Sequence, residues 1–191
     1  GLYLHAWTEK PESVKWADPK TGLSPEVWSE GMGWFALIVT ELLGELPQSH
    51  PKYNEIKNLY MQMAYDLKKF QDKKSGGWYM IVDKGDKPGN WIDPSGTGMF
   101  LYTLKKGIDL KLLSKKEFNP VVNKAYNSLI SFAKINERGL VDIVGGGDGI
   151  GVKSDYETYV NYNRIINAKE TVGAFIWGTT LMEKPRKMVL K

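Results

Sequence analysis

Three polar residues recur at one place in a repeated pattern: Glu30, Ser95 and Glu170. Glu30 precedes Gly31-Met32-Gly33-Trp34-Phe35-Ala36, Ser95 precedes Gly96-Thr97-Gly98-Met99-Phe100-Leu101, and Glu170 precedes Thr171-Val172-Gly173-Ala174-Phe175-Ile176. Other carboxylates gather in two segments, Asp83, Asp86 and Asp93 in one and Asp142, Asp148 and Asp155 in the other. Paired carboxylates are the usual acid–base groups for glycosidic chemistry, although a loop aspartate more often forms a turn. Trp7, Trp28, Trp34, Trp78 and Trp91 accompany these groups. Aromatic faces beside carboxylates are the usual lining of a sugar cleft, and core packing is the competing use for each tryptophan.

Other chemistries find less support. Cysteine is absent and the two histidines, His5 and His50, are far apart, so no metal site is expected. Gly145-Gly146-Gly147-Asp148-Gly149 lacks both the Lys-Ser/Thr of a phosphate loop and the spacing of a dinucleotide fingerprint. The net charge of +4 comes from scattered pairs such as Lys73-Lys74 and a basic tail from Lys184 to Lys191. Nucleic-acid binders concentrate charge on one face, so no nucleic-acid partner is expected. No apolar stretch reaches the ~20 residues of a membrane span, and no membrane partner is expected either. No leader peptide is legible, and the chain opens on Gly-Leu-Tyr. Bacterial cytoplasm and periplasm both stay open as compartments.

The elements that would position these groups also repeat. Segments 1–7, 77–83 and 139–144 each start with glycine and are β-prone. A polar loop follows each, and then a run apolar on nearly every face, as a helix buried all round would be. Between the repeats, Tyr53, Ile56, Tyr60, Met63, Leu67 and Phe70 fall at three- and four-residue spacing, as do Val122, Ala125, Leu129 and Phe132. That spacing predicts helices with one wet face. Asn119-Pro120 reads as the start of the second, with Ser114 to Glu117 as a capping box on a separate turn. Gly44 and Gly107 read as caps just past two buried helices. Buried helices paired with amphipathic ones suit an α/α toroid, with about five long helices making roughly half a ring. Gly33, Gly98 and Gly173 are expected at equivalent places, where inner helices approach closely. Either an N-terminal half is absent or another chain completes the core.

Several blocks, in order, resemble glycoside hydrolase family 105, the unsaturated rhamnogalacturonyl hydrolases. They are Gly1-Leu2-Tyr3-Leu4-His5-Ala6-Trp7, Lys15-Trp16-Ala17-Asp18-Pro19, 24–34 (SPEVWSEGMGW), 82–91 (VDKGDKPGNW), 95–102 (SGTGMFLY) and 167–175 (NAKETVGAF). The resemblance implies an all-α, (α/α)6 toroid of about twice this length, with residues 1–191 as the C-terminal part of its single domain. It implies a bacterial hydrolase of pectin breakdown acting on a terminal 4,5-unsaturated uronic acid, with an unsaturated uronate oligosaccharide as partner. The implied reaction is hydration: a carboxylic acid protonates C4 of the enol ether, water adds at C5, and the hemiketal opens. No cofactor is implied.

By the same resemblance His5 has a supporting catalytic role, and the main acidic Asp lies upstream of the stretch that begins at Gly1. Trp28 and Trp34 line the sugar site. Glu30 stands where relatives carry arginine, and it is expected to meet a sugar hydroxyl or a basic neighbour. Ser95, Asp93 and Asp148 complete the expected substrate-binding set. The 191-residue chain alone is expected to be inactive, and to self-associate or pair with an N-terminal half. Two rival readings are a non-catalytic or degenerate sugar-binding relative and another (α/α)6 glycosidase acting on saturated sugars.

Overall fold

The computed structural model describes residues 1–183, so the basic tail from Lys184 onward lies outside the described residues. Helices are α1 (Ser29–Glu45), α2 (Tyr53–Phe70), α3 (Pro94–Asp109), α4 (Lys115–Ile130), the short α5 (Tyr156–Val160) and α6 (Lys169–Thr180). Sheet is confined to two small antiparallel hairpins, β1 (Ala133–Ile135) with β2 (Val141–Ile143), and β3 (Gly146–Gly147) with β4 (Arg164–Ile165). Of the three β-prone segments only the last forms a strand. The other two make single rungs, Trp7 with Leu23, Tyr79 with Ile92 and Ile81 with Trp28.

α3 lies between α1 and α6, α2 backs α1, and α4 backs α3 and reaches α6. Three inner helices with two outer ones are the partial ring expected from the repeat. The outer helices form for the reason their spacing gives: one stripe of each is apolar. Tyr60, Met63, Ala64 and Leu67 of α2, and Phe118, Val122, Ala125 and Leu129 of α4, are buried in one core with Phe100, Leu101 and Leu104 of α3. Burying such a side chain fully contributes about 1.5–3 kcal/mol.

Inner helices interlock by a register rule. Gly33, Gly98 and Gly173 are each the fifth residue of their helix. A Cβ on Gly33 would fall 2.9 Å from Cβ of Met99, and one on Gly98 would fall 2.5 Å from the Ala174 carbonyl oxygen. Met99 and Ala174 are the sixth residues of the next inner helices, so the three run parallel and in register.

Some local expectations were overturned. Gly44 and Gly107 lie inside α1 and α3 rather than beyond them. Gly107 serves close approach: a Cβ there would sit 1.7 Å from the Tyr60 hydroxyl, which donates to the Thr103 carbonyl at 3.0 Å. α4 is one helix from Lys115, with Pro120 inside it. No capping box forms, because Ser114 makes no side-chain cap bond and Glu117 instead accepts from Lys68 at 2.6 Å. Of the inner helices, α3 has inner neighbours on both sides, and its residues 94–101 are all buried, while Lys105, Lys106 and Asp109 near its end reach solvent. On α1, Trp34, Ile38 and Leu42 stay exposed, as do Ile176 and Trp177 on α6.

Candidate active-site rim

Parallel inner helices bring their N-terminal ends to one rim. Glu30, Ser95 and Glu170 are each the second residue of their helix. What precedes them differs. Asp93 is the N-cap of α3 and accepts from the backbone N–H of Ser95 at 3.0 Å and of Gly96 at 3.2 Å. Its carboxylate also accepts from the Ser95 hydroxyl at 2.8 Å and from the Ser29 hydroxyl. α1 and α6 start at Trp28 and Ala168, and neither start has a side-chain cap bond.

Asp93, expected in the substrate-binding set, is here the buried cap of α3 with its carboxylate engaged by Ser95, Gly96 and Ser29. It is completely enclosed, with its acceptors engaged. Burial raises its carboxyl above the usual range, against the lowering effect of those hydrogen bonds. Ser95 is equally enclosed and spends its hydroxyl on Asp93. Trp78, grouped above with the sugar-lining tryptophans, is a core residue whose indole donates to the Leu67 carbonyl at 2.7 Å.

Glu30 is the chemically distinctive group. It is 3% exposed. Burial first, then the neighbouring Asp93 and Glu170 charges, push its carboxyl up to about 7, with the Ser95 and Trp34 side chains pulling the other way. The protein neighbour that lowers its pKa most is the Ser95 side chain, not a basic residue. No lysine or arginine forms an ion pair with it among the described residues. Glu170 Oε2 is enclosed without a hydrogen-bond partner among the described residues, and a Cβ on Gly149 would lie 4.0 Å from Glu170 Oε1. Asp148, next to that glycine, is exposed and its carbonyl accepts from the Tyr162 hydroxyl. The 145–149 loop therefore lies against the α6 side of the rim.

His5 occupies the other flank. Its backbone N–H donates to the Glu26 carbonyl at 2.9 Å. Its ring lies 4.2 Å, centroid to centroid, from Trp28, and Nδ1 is 2.6 Å from the Tyr159 hydroxyl. Burial, and secondarily the Lys153 charge, pull its pKa down to about 4. His5 is therefore a neutral imidazole near neutral pH, and it cannot serve there as an imidazolium acid. Trp28 is buried beside it, its indole N–H without a partner among the described residues.

His5 and Trp34 line separate hollows. His5 lines one of about 290 Å³ with Tyr3, Gly31, Met32 and Phe35. Trp34 lines one of about 690 Å³ with Ile38, Leu42, Tyr102 and Trp177. The cause is helical phase: residues 31 and 35 share one stripe of α1, residues 34 and 38 the next. Sequence reasoning did not single out Tyr159 and Lys153 beside His5, and no local pattern marks them. Glu170 was legible as the repeat counterpart of Glu30 but was left out of the substrate-binding set. Among the described residues no group of three His, Asp or Glu side chains could hold a metal ion, and no helix is long and apolar enough to cross a membrane.

Parallel inner helices backed by amphipathic outer ones, with loops and carboxylates at one rim, define part of an (α/α)6 toroid. The model of Glycosyl Hydrolase Family 88 matches residues 1–185, and the chain belongs to that family. The likeness to family 105 stands with it. A solved glycoside hydrolase of family 105 from C. acetobutylicum ATCC 824 superposes with a TM-score of 0.88 at 27% identity, over 95% of this chain and 52% of its own. The "Unsaturated 3S-rhamnoglycuronyl hydrolase" of Alteromonas sp. (strain LOR) is 30% identical over 108 residues, 55% of this chain and 25% of that protein. The "24.9 kDa protein in picA locus" of Rhizobium radiobacter is 26% identical over 149 residues, 76% of this chain and 63% of that one. The chain thus spans about half of the solved relative and less than two thirds of both curated ones.

Proposed function

We propose that this chain forms the substrate-holding half of a hydrolase acting on the terminal 4,5-unsaturated uronic acid of oligosaccharides left by pectin and rhamnogalacturonan lyases. The observation that carries the reading is Glu30, buried at the open start of α1 and pushed up to about 7. Where relatives place arginine, a charged glutamate would repel a uronate carboxylate. A protonated one donates a hydrogen bond to it. Two further features favour an anion: the side-chain-uncapped starts of α1 and α6, and Lys153, close enough to His5 to depress its pKa.

The chemistry of this reading is hydration of the enol ether. A carboxylic acid delivers a proton to C4, water adds its oxygen at C5 and surrenders a proton to the carboxylate so formed, and the hemiketal opens to release the next sugar. Asp93 is spent on capping and His5 is neutral, so neither is taken as the acid, and the resemblance to family 105 puts the principal acid upstream of Gly1, outside this chain. The 191 residues alone are then inactive. His5, held by Tyr159, orients the substrate, and Trp34 offers the sugar an aromatic face.

The test follows loss of the double-bond absorbance of an unsaturated rhamnogalacturonan disaccharide. Two tubes are compared, one with this chain alone and one with a separately expressed N-terminal half of a family relative added. Turnover is expected only in the second, and there Trp34→Ala should lower kcat/KM by about 1–3 kcal/mol in transition-state terms. kcat/KM should also fall as pH rises through about 7, where Glu30 ionises, and Glu30→Gln should remove that limb. Turnover of a saturated disaccharide instead would overturn the reading.

A further inference from the structure

We infer that Tyr159 is a positioning residue that fixes His5 as its Nε2–H tautomer, so that the imidazole offers its hollow a neutral hydrogen-bond donor and not a base. The inference deepens the proposed function, in which His5 orients the substrate, and it rests on that reading for its consequence. The geometry starts at the 2.6 Å contact between His5 Nδ1 and the Tyr159 hydroxyl. A neutral imidazole has one N–H and one bare nitrogen, and a hydroxyl can serve either. Which nitrogen holds the proton is set by what else that hydroxyl can reach.

Tyr159 is completely enclosed, so its hydroxyl hydrogen needs an acceptor from the protein. Nδ1 is the acceptor that the described residues supply. The other group at the Tyr159 oxygen is the backbone N–H of Lys153, which is itself a donor. An Nδ1–H tautomer would set two N–H groups against one oxygen and leave the hydroxyl hydrogen unmatched. An unmade hydrogen bond in an enclosed place favours the alternative by about tenfold or more. The phenol also keeps its proton. Burial, opposed by the Lys153 N–H and aided by the Glu26 charge, pushes it up to about 12. The His5 proton therefore sits on Nε2. That atom has no hydrogen-bond partner among the described residues, and it is not sealed in as the Trp28 indole N–H is.

Both partners are held from several directions. Beside the His5 backbone bond to Glu26, the Ala6 N–H donates to the Ser24 hydroxyl at 2.9 Å and the Ser24 N–H returns to the Ala6 carbonyl at 2.9 Å. Trp28 lies against the His5 ring. Tyr159 is the fourth residue of α5, whose start Asp155 caps by accepting from the Thr158 N–H at 2.8 Å. The Tyr156 hydroxyl donates to the carbonyls of Lys87 and Pro88, and the Trp91 indole donates to the Val160 carbonyl. α5 thus ties the 82–91 loop to His5 and sets the donor pattern of the hollow. An Nε2–H selects acceptors, such as a uronate carboxylate or a sugar oxygen, and it cannot take a proton from water. A substrate group that must donate at that point is disfavoured.

Side-chain nitrogen NMR of the full chain, isotope-labelled at histidine, tests this at neutral pH, well above the His5 pKa of about 4. His5 and His50 are the only histidines, and a His50→Gln variant tells their signals apart. A bare Nδ1 and a protonated Nε2 are expected for His5, with the other tautomer below about a tenth. A slowly exchanging hydroxyl proton should show a nuclear Overhauser contact with the His5 ring. Tyr159→Phe keeps the aromatic packing and removes the donor. The Nδ1–H form should then rise several-fold while the helical circular dichroism stays unchanged. An Nδ1–H majority in the unaltered chain would overturn the inference, and so would a folded Tyr159→Phe with unmoved signals. Should that variant fail to fold, the hydroxyl proton of the unaltered chain decides, its presence supporting the inference and its absence overturning it. No substrate enters the measurement, so an enzyme without turnover would count against the proposed function and not against the tautomer.

Discussion

The starts of α3 and α1 occupy equivalent places in the repeat and are used in opposite ways. At α3 an aspartate sits one residue before the helix, and the free first-turn N–H groups, two serine hydroxyls and the carboxylate satisfy one another. At α1 a tryptophan holds that position and no side chain caps the helix. Glu30 is left buried among other acids with its proton held to about pH 7. α6 resembles α1, with Ala168 at its start and Glu170 partly unsatisfied. The difference teaches where the fold spends its polar groups. One rim position is closed to stabilise the helix, and the flanking two are left unfilled, which is the arrangement a ligand needs.

Removing the closed position should give the largest effect. Asp93→Ala discards an N-cap and leaves buried hydroxyls unpaired, and should cost about 3 kcal/mol of stability in denaturant titration. Asp93→Asn, which keeps the cap, should recover most of that. If Asp93→Ala were silent, the two helix starts would not differ in kind.

The open position should respond in the other direction. Glu30 has a folded-state pKa near 7, raised above its unfolded value. Its favourable contribution is complete below about pH 4.5 and is lost as pH rises through 7, because the unfolded chain releases the proton first. Glu30→Gln should therefore leave stability unchanged at pH 4 and raise it at pH 8. A gain of about 2 kcal/mol is expected, less than the full pKa displacement implies because a buried amide also needs partners. Equal effects at both pH values would show that Glu30 is not protonated in the folded protein.

The smallest effect should come from the third start. Glu170 contributes to the raised pKa of Glu30 after burial and Asp93. Glu170→Gln should lower the Glu30 pKa slightly, by less than Asp93→Asn does, in a carboxyl titration followed by NMR. An unmoved Glu30 would separate α6 from the shared rim.

Much of this was readable along the chain. Apolar spacing gave the outer helices, and the repeated glycine at the fifth position gave the inner ones, since both are local consequences of helical period. The same repeat aligned Glu30, Ser95 and Glu170. Local reading failed where a residue's role depends on what arrives from elsewhere. Asp93 looked like a ligand group until Ser29, 64 residues away, completed its cage. Gly107 looked like a cap until Tyr60 needed the space. His5 was legible as a site residue, but its neutrality depends on burial and Lys153, and its hydrogen bond on Tyr159, 154 residues distant.

The sequence by itself therefore determined the helical repeat, the family and the rim on which the carboxylates stand, because periodicity and order are properties of the chain. The tertiary structure alone decided which carboxylate is spent on a cap and which keeps a proton. It also decided which hollow His5 and Trp34 each line. Those outcomes depend on burial and on contacts between distant segments, and neither is written in the spacing of residues along one strand of polypeptide.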